Sequence, residues 1–120
     1  PSAVQGQVQD ETEVRQAIER WSAAWSARDM KGYLDQYARS FAPAGGQSRG
    51  DWVKSRYQRI LSKKRIAHAV QNLEIRVTGD VATASFQQTY EADKTRQVGP
   101  KTLQLIREGG VWRIHQESTL

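Results

Sequence analysis

Apolar residues recur every third or fourth position through the first half of the chain and every second position through the second half. Val14, Ala17, Ile18, Trp21 and Trp25 share one face of a helix predicted over residues 11–27. Asp10 or Thr12 can cap its start, and the acids Asp10, Glu11 and Glu13 suit the positive end of the helix dipole. Asp29 stands as the N-cap of a shorter second helix with Met30, Tyr33, Leu34 and Tyr37 as its stripe and Phe41 in its exit. Pro43, Gly45 and Gly46 end helical structure. Ser48 opens a third helix, with Asp51 three residues on as an incomplete capping box. Its predicted inward face is Trp52, Val53, Arg56, Tyr57, Ile60 and Leu61, while Lys54, Arg59 and Lys63 point elsewhere.

From Ile66 the period becomes two, and strands are predicted over 66–77, 81–91, 101–107 and 111–118. The first has a broken alternation through Val70, Leu73, Ile75 and Val77, as a β-bulge leaves it. Gly79 with Asp80, and Gly109 with Gly110, supply tight turns. Residues 92–100 read as a longer polar connection closed by Gly99 and Pro100. Three helices followed by four strands argue for an α+β domain, its helices packed on one face of an antiparallel sheet. Residues 1–10 read as a linker or disordered tail and 11–120 as one domain with a single core.

Alternation sorts the strand residues into two faces. Ala82, Ala84, Phe86, Gln88 and Tyr90 share the inner face with Lys101, Leu103 and Leu105, and with Trp112, Ile114, Gln116 and Ser118. The polar members Gln88, Tyr90, Lys101 and Gln116 gather at one end, which is the pattern of a pocket mouth or of strand ends reaching solvent. Arg56, one helical turn from Trp52, needs an acceptor if buried: Glu117 or Asp93 within the chain, or a ligand carboxylate. The outer face (Thr83, Ser85, Gln87, Thr89, Gln104, Arg113, His115) is polar, suited to a wet homodimer interface.

Charge sharpens this picture. The net +5 is concentrated in Arg49, Lys54, Arg56, Arg59, Lys63, Lys64 and Arg65, opposed within that segment only by Asp51. Such a block attracts an anionic partner or simply solvates a helix face. Nucleic-acid binding is not expected, because no exposed aromatics interleave with the basic residues and no recognition helix appears. No apolar run approaches the ~18 residues of a membrane span. The absence of cysteine excludes disulfides and thiol chemistry. Two distant histidines and no carboxylate pair at i, i+4 give no metal pattern, and no phosphate loop or nucleophile elbow is present. Neither His68 nor His115 has an orienting partner visible in the sequence, so neither reads as a general base, and no cofactor is expected. The chain begins at Pro1 without a leader pattern, and reads as a piece of a longer protein whose targeting segment is elsewhere.

The runs AIERWSAAWSARDMKGYLDQYARSF, SRGDWVKSRYQRI, GDVATASFQQTY and KTLQLIREGGVWRIHQES resemble the nuclear transport factor 2-like superfamily, which includes SnoaL-like and ketosteroid-isomerase-like proteins. Over residues 11–118 the chain looks most like the C-terminal domain of bacterial L,D-transpeptidase-fold cell-shape and cell-wall proteins. That resemblance implies a cone-shaped, cystatin-like roll with a pocket under the helices, often dimerising through the outer sheet face. Enzymes of the superfamily carry an Asp, or a Tyr, His and Asp set, inside the cone. Here the loop FAPAGGQ lacks an acid, and the inner positions Gln88, Leu103, Leu105 and Gln116 include no carboxylate. The basic and aromatic set Trp52, Arg56, Arg59, Gln88, Tyr90 and Lys101 is similar to the cell-wall group.

The expectation is therefore a non-catalytic accessory domain of a bacterial envelope protein, periplasmic or cell-wall-associated. It would bind a small anionic ligand, a peptidoglycan fragment or a protein partner in or beside its pocket. Tyr37, Trp52, Arg56, Tyr57, Gln88, Tyr90, Lys101 and Gln116 are the expected ligand contacts. Two alternatives stand: an isomerase, cyclase or dehydratase in which Tyr37, Tyr57, Tyr90 or His68 supplies acid and base, and a dimerisation module alone.

Overall fold

The computed structural model describes the backbone of residues 3–119, and the side chains of residues 6–118. Helices α1 (Ala3–Ser26), α2 (Met30–Asp35) and α3 (Arg49–Leu61) come first, with a 3-10 turn at Ala44–Gly46. Strands β1 (Ile66–Thr78), β2 (Val81–Ala92), β3 (Thr95–Glu108) and β4 (Val111–Thr119) follow and pair antiparallel in chain order. This is the predicted α+β architecture: helices on one face of a four-stranded sheet.

Two of the three predicted caps form; Asp10 and Thr12 cap nothing, because both lie inside α1. The Asp29 carboxylate accepts from the Gly32 amide, and the Ser48 hydroxyl accepts from the Asp51 amide, each satisfying an orphan N–H of a first turn. The helical stripe Val14, Ala17, Ile18, Trp21 and Trp25 is buried against Ala82, Ala84, Phe86, Leu103, Leu105, Trp112 and Ile114 from the sheet. α1 lies close on β1, whereas α3 stands further off and is tied on by side chains. Arg28 donates to the last carbonyls of α3, Ile60 and Leu61, while Arg49 donates to the carbonyl of Ala38.

Several expectations need correction. α1 begins at Ala3 rather than near Glu11, so helix covers most of the stretch read as a tail. Arg107 holds that extension, reaching Asp10 at 2.6 Å while also contacting Asp80 and stacking over Trp112. The connection expected over 92–100 is a two-residue turn, because β3 starts at Thr95. Asp93 takes the left-handed conformation there, with φ of 53°, which an aspartate tolerates better than most residues. Pro100 fits in β3 because that part of the strand pairs only with β2; β4 pairing begins at Lys101. The bulge read from the broken alternation of β1 lies between Gln71 and Glu74, with Asn72 at φ of 57°. On α3, Tyr57 and Leu61 are both 44% exposed and do not belong to the inward face. That face is Trp52, Ile60, the half-buried Val53 and the guanidinium of Arg56.

Candidate functional site

A second bulge decides what occupies the inside of the cone. On β3, Gln104 and Leu105 are consecutive, but their β4 partners are Gln116 and Ile114. His115 is thus an extra residue, and beyond it the inward and outward positions of β4 exchange. Leu103 faces inward and its partner is Glu117; Gln104 faces outward and its partner is Gln116. The segment leaving α2 holds the distortion. Ile114 exchanges hydrogen bonds with the backbone at Gln36 and Ala38, and the His115 carbonyl accepts from the Ala42 amide.

The expectation of an inner face without a carboxylate is accordingly wrong. Glu117 points inward with its side chain 8% exposed, while Gln116 and Ser118 are exposed. Arg56 reaches in from α3 and places Nη2 2.7 Å from Glu117 Oε1. Lys101 reaches in from β3 and places Nζ 3.5 Å from Glu117 Oε2. The Tyr37 hydroxyl donates to the same Oε2 at 3.1 Å. Having given its only proton, Tyr37 accepts from Trp21 Nε1–H at 3.0 Å and from the Tyr33 hydroxyl at 3.0 Å. Burial is the main cause that pushes the Tyr33 phenol up to about 12, and it carries Tyr37 well above its ordinary value. Burial likewise pulls Lys101 below its ordinary value, partly offset by Glu117.

His68 lies beside this network with Trp25 stacked on its ring at 4.3 Å. Its Nε2 is 2.8 Å from Gln88 Oε1 and its Nδ1 is 2.7 Å from Ser22 Oγ. With Gln88 presenting a carbonyl oxygen, Nε2 carries the proton and Nδ1 accepts from the serine hydroxyl. Burial lowers its pKa to about 4, with the Gln88 hydrogen bond opposing and the charge of Lys101 assisting. Asp93, the other acceptor expected for Arg56, instead accepts from the backbone amides of Lys64 and Arg65.

Two features set the chemistry. Glu117 accepts from two cations and a phenol, and both nitrogens of His68 are within hydrogen-bond distance of neutral groups, so each is committed to contacts within the fold. Conversely, hydrogen-bond donors outnumber acceptors. Two buried cations share one carboxylate, and Trp25 Nε1, Trp52 Nε1 and the Tyr90 hydroxyl are buried without a partner among the described residues. Arg59 covers this region from the rim, its guanidinium 5.5 Å from the Tyr90 ring and 5.9 Å from Trp25. The expectation that Arg59 points elsewhere is therefore corrected.

Of the expected ligand contacts, Tyr37, Trp52, Arg56, Gln88, Tyr90 and Lys101 come together beneath α3. Tyr57 and Gln116 do not. The interior is also less hollow than expected: Trp21, Trp25, Tyr33, Tyr37, Phe41 and Trp52 pack ring against ring between helices and sheet. Open hollows lie at the surface. One of about 480 Å³ separates α1 from the β1 bulge, and one of about 430 Å³ on the outer side includes Thr83, Gln104 and Gln116. Glu117 is the residue that sequence reasoning missed as an inner group. Past Ile114 the run His115, Gln116, Glu117 is polar on both faces, so alternation offers no cue to a change of register.

Three helices over a four-stranded antiparallel sheet, with this inward-facing set, define an NTF2-like domain. The chain belongs to the Cds6 C-terminal NTF2-like domain family, whose model matches residues 13–118. Similar solved structures include Bd1075 of Bdellovibrio bacteriovorus, with a TM-score of 0.82 and 22% identity over 90% of this chain and 39% of that one. The function-unknown protein Rv3472 of Mycobacterium tuberculosis has a TM-score of 0.83 and 19% identity over 99% of this chain and 75% of that one. The helical cell shape determining protein Pgp2 of Campylobacter jejuni has a TM-score of 0.76 and 16% identity over 85% of this chain and 38% of its own. This chain therefore spans about two-fifths of Bd1075 and of Pgp2. No curated protein matches the sequence.

Proposed function

We propose that this domain is a non-catalytic accessory module of a bacterial envelope protein, and that it holds an anionic, cell-wall-derived ligand at the rim beneath α3. The observation that carries this reading is the donor surplus: Arg56 and Lys101 against Glu117 alone, beside the unpaired N–H groups of Trp25 and Trp52 and the Tyr90 hydroxyl. Buried donors without acceptors cost about 1–3 kcal/mol each, and a ligand carboxylate supplies the missing acceptors. Arg59 is a cheap cover to displace, being a long, exposed side chain lying over the rings rather than packed among them. The engaged state of Glu117 and His68 speaks against isomerase, cyclase or dehydratase chemistry at this place. The likeness to a cell-shape protein supports the envelope setting.

Titration of purified muropeptides by calorimetry tests the reading. Wild type is expected to bind, with Lys101→Met and Arg56→Ala weaker by at least tenfold. Undetectable binding by wild type, or equal binding by all three, removes the ligand claim.

A further inference from the structure

The fold gathers two basic segments that are far apart in the sequence. Residues 59–65 leave α3 and enter β1, and residues 94–96 form the turn between β2 and β3. Asp93 joins them: its carboxylate accepts from the amides of Lys64 and Arg65, and its own amide donates to the Arg65 carbonyl. One end of the molecule thereby carries Arg59, Lys63, Lys64, Arg65, Lys94 and Arg96 against Asp93 and Glu91. That excess of four positive charges is most of the chain's +5. Glu91 is paired with Arg96, while Arg59, Lys63, Lys64, Arg65 and Lys94 have no carboxylate within ion-pair distance among the described residues. Of the three other cations of the predicted basic block, Arg49 and Arg56 are spent on the Ala38 carbonyl and on Glu117, and Lys54 is exposed on α3. The block is thus not one solvated helix stripe. It is divided, and its exposed part is concentrated by a partner segment from the sheet.

We infer that this end of the domain is a docking surface for an acidic polysaccharide, a chain presenting carboxylates at intervals. Charge complementarity carries the assignment, and the make-up of the patch selects among polyanions. A protein interface needs an apolar or aromatic centre, whereas the six cations here outnumber the exposed apolar residues nearest them, Tyr57, Leu61 and Val98, by two to one. Single-stranded nucleic acid needs a succession of open aromatic faces, but Trp25 and Tyr90 are buried beneath Arg59 and Tyr57 alone is open near the patch. A polymer of charged sugars requires only spaced, mobile cations. The patch shares Arg59 with the site beneath α3, and the test leaves Arg59 in place and changes only cations that this site does not use.

The test uses polygalacturonate as probe, with neutral dextran, duplex DNA and phosphatidylglycerol vesicles beside it, at two salt concentrations. Wild type is expected to bind polygalacturonate but not dextran, with affinity falling as salt rises. The triple variant Lys63→Gln, Lys64→Gln, Lys94→Gln changes side chains that make no hydrogen bond or ion pair among the described residues and is expected to bind at least tenfold more weakly with an unchanged circular dichroism spectrum. Arg76→Gln, on exposed β1 away from this end, is expected to bind as wild type. The inference is overturned if the triple variant binds like wild type, if Arg76→Gln weakens binding equally, if no polygalacturonate binding occurs at low salt, or if DNA or vesicles bind more tightly.

Discussion

Arg56 on α3 and Glu117 on β4 lie 2.7 Å apart across the interior, and this pair fastens a helix whose backbone stands off from the sheet. Both side chains are nearly buried, and a second cation, Lys101, shares the carboxylate. Removing one member of a buried charge set costs far more than an exposed ion pair contributes, because the charge left behind has lost both water and partner. Glu117→Gln, which strands two cations, is therefore expected to lose about 3–5 kcal/mol in urea unfolding. Adding Gln116→Glu should not restore it, because the bulge at His115 turns position 116 outward.

Tyr37 joins the same network through three hydrogen bonds, to Glu117, Trp21 and Tyr33. Tyr37→Phe keeps the ring but leaves Trp21 Nε1–H without its acceptor and Glu117 without one donor. A loss of about 1–3 kcal/mol is expected from chemical denaturation, without a change in secondary structure by circular dichroism.

The low pKa of His68 makes stability depend on pH. The unfolded histidine titrates near 6.5 and the folded one at about 4, so between these values the unfolded chain binds the additional proton. The stabilising contribution is complete above pH 6.5 and falls as the pH drops toward 4, by about 3 kcal/mol in full. Unfolding free energies measured from pH 7 to 5, above most carboxylate titrations, should decline in wild type. His68→Gln should be nearly flat over the same range, from a lower starting value.

Arg107 ties the N-terminal half of α1 to the sheet through Asp10 at 2.6 Å and Glu13 at 3.9 Å, with Trp112 beneath it. Its side chain is partly exposed, so Arg107→Ala is expected to lower global stability by only about 1 kcal/mol. Hydrogen exchange should reveal the local effect: amides of residues 6–13 lose protection while those around Trp21 keep theirs.

Much of the fold is legible from periodicity and caps. Val14, Ala17, Ile18, Trp21 and Trp25 are buried as their spacing demands, and Asp29 and Ser48 cap as their positions ahead of helical stripes predict. The misreadings share a cause: tertiary contacts that local pattern does not record. Pro100 and Gly99 look like a loop, but their strand has an open edge where proline's missing N–H costs nothing. Tyr57 and Leu61 fit the helical stripe, yet α3 contacts the body along a narrower face than an apolar stripe suggests. At Glu117 the bulge is fixed by backbone bonds from Gln36, Ala38 and Ala42, some eighty residues upstream, and the polar run after Ile114 is silent about it. For the same reason Arg56 was identifiable as needing an anion, while the choice between Glu117 and Asp93 was not.

The four tryptophan indoles report directly on whether the buried donors beneath α3 accept a ligand. In ¹⁵N-resolved NMR each indole N–H gives a separate signal, and Trp21 is already bonded to Tyr37 whereas Trp25 and Trp52 have no acceptor. Trp112, also unpaired, lies under Arg107 on the other side of the core and serves as an internal reference. On titration with muropeptide, the Trp25 and Trp52 signals should move downfield and saturate together while Trp21 and Trp112 stay in place. Saturating ligand that leaves Trp25 and Trp52 unmoved would contradict binding at this site.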